Sequence, residues 1–321
     1  MSKEELKIVF FGTPDFAVES LRRLVEGGYQ VAAVVTMPDK TGGRGHHVIE
    51  SAVKQYAVQQ GLPLLQPEKL KDENFLNRLR EIGADLFIVI AFRMLPQAVW
   101  QMPRLGTFNL HASLLPKYRG AAPINWAVMN GEVKTGVTTF FLKHEIDTGD
   151  IIGQRSIDIG RTDNVEVVHD RLMVLGAEMV VETVDAIIAG SVTAIPQENL
   201  LGAGEEPTPA PKIFTATCRV DWTRTAEEVY NHIRGLSPYP AAWTVMRDAE
   251  GHEWNVKLLQ TTEPFANHGI PGQTTTDGKR LIVACADGAV ELLQLQPSGK
   301  RRMSAEDFLR GLRYVAPLVC E

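Results

Sequence analysis

The order of apolar runs along the chain predicts an α/β protein with a doubly wound, mostly parallel sheet domain followed by a smaller β-rich domain. Three observations carry this. Leu6–Phe11 is a short apolar run ending in Gly12-Thr13-Pro14-Asp15; Phe16, Val18, Leu21, Leu24 and Val25 then follow at helical spacing, and Val31–Thr36 is a second apolar run. That is a β-α-β start. Leu86–Ala91 is nearly continuous in apolar residues, as a parallel strand covered on both faces requires. Finally, Ala203–Pro211 holds three prolines and two adjacent glutamates, and beyond it the chain breaks into short β-like runs. A length of 321 residues exceeds the roughly 100–150 typical of one domain, which agrees with two.

Gly27-Gly28 stops the first helix. The turn Gly12-Thr13-Pro14 lacks the G-x-G-x-x-G spacing, so a dinucleotide site is not indicated. Pro38–Val48, with Gly42, Gly43 and Gly45, reads as a flexible loop carrying Lys40 and Arg44. Helices are expected at Ser51–Gln60, Asn74–Glu81, Pro96–Trp100 and Ala121–Met129, and strands at Leu62–Leu65, Gly106–Leu110, Val137–Leu142 and Ile151–Ile159. Val168, Leu172, Leu175, Met179, Val184 and Ile188 form the apolar stripe of a long helix over Val165–Ala189. After the linker, a helix near Ala226–Ile233 and strands at Ala242–Val245, Val256–Leu259, Arg280–Ala284 and Ala289–Leu295 predict a small barrel or sandwich.

Composition narrows the class. Hydrophobic residues at 44% and charged residues at 22% are those of an ordinary globular protein. No run approaches the roughly 20 apolar residues of a membrane helix, and the run at Leu6–Phe11 is too short for a signal peptide, so the expected compartment is the cytoplasm. Cys218, Cys285 and Cys320 are far apart and form no C-x-x-C pair, which indicates neither a disulfide framework nor a zinc site. The net charge of -6 weighs against indiscriminate nucleic-acid binding, yet residues 210–321 are balanced and include Lys300-Arg301-Arg302. That triplet suits a solvated surface run or a phosphate contact.

Phe108-Asn109-Leu110-His111 places an amide and an imidazole two residues apart at the end of a strand, where they share a face. Asp147-Thr148-Gly149-Asp150 follows a separate β-like run. Taken singly, Asn109 suits a backbone cap, His111 a hydrogen-bonded structural histidine and Asp147 a turn. Together they supply a donor for a developing oxyanion, a proton carrier that works near pH 7 and an orienting charge, the set that acyl transfer to an amine needs. Direct attack by the amine needs no side-chain nucleophile, and Ser113, before Leu114-Leu115-Pro116, fits a backbone-binding loop better.

With these residues in view, the sequence resembles the methionyl-tRNA formyltransferase family along nearly its whole length. Its motifs are Phe11-Gly12-Thr13-Pro14-Asp15-Phe16, Gly43-Arg44-Gly45, Met102-Pro103-Arg104-Leu105-Gly106 and Asn109-Leu110-His111-Ala112-Ser113-Leu114-Leu115-Pro116. Arg119-Gly120-Ala121-Ala122-Pro123-Ile124, Glu145-Ile146-Asp147-Thr148-Gly149-Asp150 and Leu295-Gln296-Pro297-Ser298-Gly299-Lys300 extend the match. The resemblance implies a Rossmann-like catalytic domain over 1–202, a linker at 203–211 and an OB-like tRNA-binding domain over 212–321. It implies transfer of formyl from 10-formyltetrahydrofolate to the amino group of methionyl-initiator tRNA. No metal is expected, and nothing in the sequence demands more than a monomer. Asn109, His111 and Asp147 match the catalytic residues. Ser113, Leu114, Leu115 and Pro116 match the folate-binding stretch, with Phe92, Arg93, Met94 and Leu95 on its pterin side. Lys40, Arg44, His46, His47 and Lys54, together with Lys300, Arg301 and Arg302, are the implied tRNA contacts. His46-His47 stands where the family often has two lysines, Thr41 where it usually has proline, and Phe92-Arg93 where a Tyr-Gly pair is common.

Overall fold

The computed structural model describes residues 1–42, 47–202, 204, 206–311 and 314–321, and the chain forms two compact units. One comprises residues 1–120, 136–157 and 169–209, the other residues 121–135, 158–168 and 210–321. The second therefore takes in two segments that precede the proline-rich stretch.

The first unit is built on a seven-stranded sheet of β1 (Ile8–Gly12), β2 (Val31–Val35), β3 (Leu64–Leu65), β4 (Leu86–Ile90), β5 (Thr107–His111), β6 (Lys134–Phe141) and β7 (Ile151–Asp158). Their spatial order is β3-β2-β1-β4-β5-β6-β7. The first five are parallel and β6 runs antiparallel to β5. The sheet is thus Rossmann-like and mostly parallel, with its order reversing between β1 and β4; ligands of such sheets bind outside the carboxyl ends near that reversal. All five residues of β1 and all five of β4 are buried, which explains why they read as apolar runs without alternation. On one face Val9, Phe11, Val35, Phe87 and Val89 pack with Phe75, Leu76 and Leu79. The last three belong to the helix Glu73–Ile82, whose N-terminus is capped by the Asp72 side chain and whose C-terminus ends at Gly83 with φ +59°. Such a cap stabilises a helix by about 1 kcal/mol, and glycine meets the left-handed angle without strain.

The helix Val165–Ala189 lies where its apolar stripe places it, burying Val168, Leu172, Met179 and Val184. Its Gly176 faces β5: a Cβ there would lie 2.7 Å from Leu110 Cδ2. Three expectations are corrected. In place of a loop at Pro38–Val48, Lys40–Gly42 pairs antiparallel with His47–Ile49. The strand expected at Leu62–Leu65 is only Leu64–Leu65, since Pro63 has no N–H to give, although its carbonyl accepts from Val34 N–H at 2.8 Å. β5 also runs one residue further than expected and includes His111.

In the second unit β8 (Ala242–Arg247), β9 (Glu253–Thr261), β10 (Thr274–Thr276), β11 (Leu281–Ala284), β12 (Ala289–Pro297) and β13 (Val319–Cys320) form an antiparallel sheet in the order β10-β11-β12-β9-β8-β13. Its ends meet. Gln273 bridges Val319, Thr274 N–H donates to Leu318 C=O at 3.2 Å, and Cys320 N–H donates to Gly272 C=O at 2.8 Å. The result is a nearly closed, OB-like barrel filled by Trp222, Val229, Ile233, Met246, Leu258, Val283, Leu295 and Phe308. The helix Ala226–Leu236 contributes Val229 and Ile233, and it starts at a reciprocal cap between Thr225 and Glu228. β10, β13, the two-residue strand Met303–Ser304 and the helix Ala305–Gly311 were not expected: they are too short to show a period. Among the described residues, no helix is long and apolar enough to cross a membrane.

Candidate active site

β5 delivers the first two groups. Asn109 pairs with Val89 on one side and Phe140 on the other, and His111 with Thr138, so both are held by strands on which two neighbours fix the register. Asn109 is half-buried, and its Oδ1 is buried with no hydrogen-bond partner. The capping role open to it in the sequence would have given that oxygen a backbone N–H. His111 is buried, its ring edge-on to Phe140 with centroids 6.5 Å apart. Its Nε2 lies 2.8 Å from the Tyr118 carbonyl oxygen. A carbonyl only accepts, so Nε2 carries the proton and Nδ1 is the basic position. Nδ1 faces Asp147 Oδ2 at 3.8 Å, too long for a hydrogen bond but right for an ion pair once the ring is protonated.

Asp147 sits at φ +55°, and Gly120 N–H donates to its Oδ2 at 2.9 Å. Gly149 follows because a Cβ at that position would fall 1.6 Å from the Phe141 carbonyl oxygen. Asp150 turns away and pairs with Lys143 at 2.6 Å, so of the two aspartates only Asp147 serves the imidazole. Asp147, Ala91 and Tyr118 are three of the four described non-glycine residues with positive φ, and they follow β6, β4 and β5. Left-handed backbone costs about 1 kcal/mol or more per residue and collects where a site demands it.

The stretch Ser113–Pro116 is held by its own bonds. Ser113 Oγ–H donates to the Lys117 carbonyl at 2.6 Å, and the Ser113 carbonyl accepts from Thr138 Oγ at 2.6 Å. The Leu115 carbonyl accepts from Gln154 Nε2 at 2.7 Å, Leu115 and Pro116 are buried, Leu114 is half-buried, and the Leu115-Pro116 bond is cis. The Ser113 hydroxyl is thereby committed to shaping the loop. On the neighbouring strand end, Phe92 packs edge-on to Phe11 at 5.7 Å, Leu95 is buried and Met94 is 70% exposed. The Arg93 guanidinium lies over the Phe92 ring and donates to the carbonyls of Pro67 and Glu68. Burial lowers its pKa. Arg93 thus ties the Phe92 segment to the chain at 67–68.

Of the basic positions, Arg44 and His46 lie outside the described residues, as does the side chain of His47. Lys40 is exposed on the hairpin; the Lys54 ammonium is bonded to Asp39 and, at 2.8 Å, to Glu50. Those carboxylates raise the Lys54 pKa and also offset its charge. Lys300, Arg301 and Arg302 are exposed, with Arg302 bonded to Gln294. Among the described residues no group of three or more His, Cys, Asp or Glu is arranged to hold a metal ion. A groove of about 520 Å³ between Leu65 and Arg78 is lined by none of the site residues.

Two residues that hold the site were missed. Tyr118 supplies the carbonyl to His111, a role that only its left-handed backbone (φ +62°) creates. Gln197 donates to the carbonyls of Asp147 and Gly149, both at 2.8 Å, and accepts from Arg119 Nη2 at 2.7 Å. A lone glutamine in a polar stretch some 50 residues from its partners carries no period or motif that would reveal this.

Both parts of the chain match known protein families. The formyl transferase family matches residues 6–184, and the formyl transferase C-terminal domain matches residues 212–313. The methionyl-tRNA formyltransferase of Bacteroides thetaiotaomicron is 60% identical over 315 residues, covering 98% of each chain. That of Porphyromonas gingivalis strain W83 is 49% identical and covers all of both chains. Among solved structures, the sugar 3N-formyl transferase WlaRD, crystallised with dTDP and 5-N-formyl-THF, superposes with a TM-score of 0.64 at 19% identity, over 92% of this chain and 99% of its own. HypX from Aquifex aeolicus in complex with tetrahydrofolic acid gives 0.62 at 20% identity, over 96% of this chain and 48% of its own. Similarity at that identity establishes the shared fold, while the full-length relatives establish the family: this chain belongs to the methionyl-tRNA formyltransferases.

Proposed function

We infer that the protein transfers the formyl group of 10-formyltetrahydrofolate to the amino group of methionyl-initiator tRNA, giving N-formylmethionyl-tRNA. The observation that carries the reading is the unpaired, buried Oδ1 of Asn109 on the same strand face as His111. A buried acceptor without a donor costs about 1–3 kcal/mol, and an incoming amine brings the missing N–H. As the amine nitrogen bonds to the formyl carbon, the oxygen there gains negative charge, and the Asn109 amide N–H is the donor for it. His111 takes the amine's proton at Nδ1, and the imidazolium so formed faces the Asp147 carboxylate. The proton then goes to the folate nitrogen as the carbon–nitrogen bond to the donor breaks. This route uses no metal ion.

In the same reading, residues 1–202 are the catalytic domain, 203–211 a linker and 212–321 the tRNA-binding domain. The folate donor lies against Ser113–Pro116 and Phe92–Leu95. Lys40, Arg44, His46, His47, Lys54 and Lys300–Arg302 meet the tRNA backbone, where each phosphate neutralised makes binding more salt-dependent. The three described cysteines are free and buried, which suits a reducing compartment, and the reading is of a cytoplasmic monomer.

The test is formation of N-formylmethionyl-tRNA from 10-formyltetrahydrofolate and methionine-charged initiator tRNA, with charged elongator tRNA alongside. Formylation confined to the initiator is the expected result. Absence of transfer while the folate donor still binds would redirect the site to small amines.

A further inference from the structure

We propose that Gln197 is a positioning residue for formyl transfer, holding the loop that presents Asp147 to His111. Gln197 is only 1% exposed and every hydrogen-bonding position of its carboxamide toward this loop is used. Its two N–H bonds go one each to the carbonyl oxygens of Asp147 and Gly149. Its oxygen accepts from Arg119 twice, from Nε at 3.1 Å and from Nη2 at 2.7 Å.

The loop makes such a residue necessary. Asp147 is in the left-handed region, and Gly149 packs so closely on Phe141 that no side chain fits. The turn directs two backbone carbonyls, those of Asp147 and Gly149, at one buried side chain. A side chain with two donors and one acceptor on a single planar group answers both, and among the amino acids only the carboxamides provide it. The acceptor side matters equally. Arg119 directly precedes Gly120, whose N–H holds Asp147 Oδ2. Gln197 thus links the two supports of the carboxylate, the backbone that carries it and the Arg119-Gly120 segment that bonds it. It bonds to neither Asn109 nor His111 and acts through Asp147 alone, so the proposal rests on the role given to Asp147 above.

Four variants of the full chain test it: Gln197→Leu, Gln197→Glu, Asp147→Asn and the double variant Asp147→Asn/Gln197→Leu. Glutamate keeps the bonds to Arg119 but sets a second oxygen against the two carbonyls. Residues that orient a catalytic group are typically worth about 10–100-fold. Both Gln197 variants should lose kcat in that range while KM for each substrate stays within about threefold. The double variant should be no slower than Asp147→Asn, because the support is worthless once the carboxylate is gone. Thermal melting identifies any variant that fails to fold, and Gln197→Met then replaces Gln197→Leu. Wild-type kcat in Gln197→Glu, or losses that multiply in the double variant, would overturn the proposal and leave Asp147 in place. Wild-type kcat in Asp147→Asn would instead remove the Asp147 role, and the proposal with it.

Discussion

Asn109 stands on one strand face with His111, its Oδ1 buried and unpaired, and its amide N–H is the donor assigned to the developing oxyanion. Asn109→Ala should lower kcat on the order of 10²–10³-fold, as loss of an oxyanion donor does, with folate affinity changed far less. Steady-state kinetics with a direct folate titration checks this, and equal losses in both would remove the oxyanion role. Asn109 and His111 were legible in the sequence because a strand's two-residue period puts them on one face whatever the tertiary fold, and Asp147 because its polar cluster follows a separate β-like run. Their supports were not: Tyr118 and Gln197 act through backbone geometry or long-range bonds that leave no local pattern. A second expectation concerns Asp248, whose buried side chain accepts from the N–H groups of Glu250, His252 and Val315 and from His252 Nδ1. Burial pushes its pKa up, but these bonds outweigh burial and hold it at about 2. The unfolded value is about 3.9, so the stabilisation is complete above that pH and is lost as pH falls toward 2. His252 is shifted the other way, its pKa raised by Asp248, so its share is full below about pH 6.5 and fades as pH rises through the folded value. Asp248→Asn should flatten the acid side of a Tm-against-pH curve, and an unchanged curve would count against the pair.

Elements were predictable where they are long and regular, and were lost where they are short. The helix Val165–Ala189 shows the first case: seven turns of periodic apolar residues leave little freedom in where it lies. The hairpin at Lys40–Ile49 shows the second, since three-residue strands flanking glycines read as a loop until their partner is known. Gly176 allows the long helix to approach β5, the strand bearing Asn109 and His111. Gly176→Ala should be nearly neutral: the helix gains about 1 kcal/mol in propensity, and the Leu110 methyl it meets is the movable end of a side chain. Gly176→Val adds two further carbons to that contact and should destabilise by about 1–3 kcal/mol through overpacking, with a drop in kcat as β5 is displaced. Urea unfolding of the two variants distinguishes these outcomes; equal stability would mean that the close approach is not enforced at Gly176.

On the scale of the molecule, the sequence revealed two folding units but not how the chain divides between them. The composition change at 203–211 marks a shift from helical to β-like periodicity, whereas the packing of 121–135 and 158–168 with the second unit depends on contacts distant in sequence. The closure of the barrel was equally hidden, because it depends on contacts between residues 272–274 and 318–320, in segments with no strand pattern. That closure has a consequence for behaviour in the cell. Two short strands meeting leave no unsatisfied row of backbone groups for another chain to extend, whereas a sheet with bare edges is a template for self-association. Deleting residues 318–321 should expose the flanks of β8 and β10 together, giving a protein that sediments as soluble oligomers or precipitates at concentrations where the full chain does not. A chain cut there that remains as dispersed as the parent would show that the edges are protected by something other than their meeting.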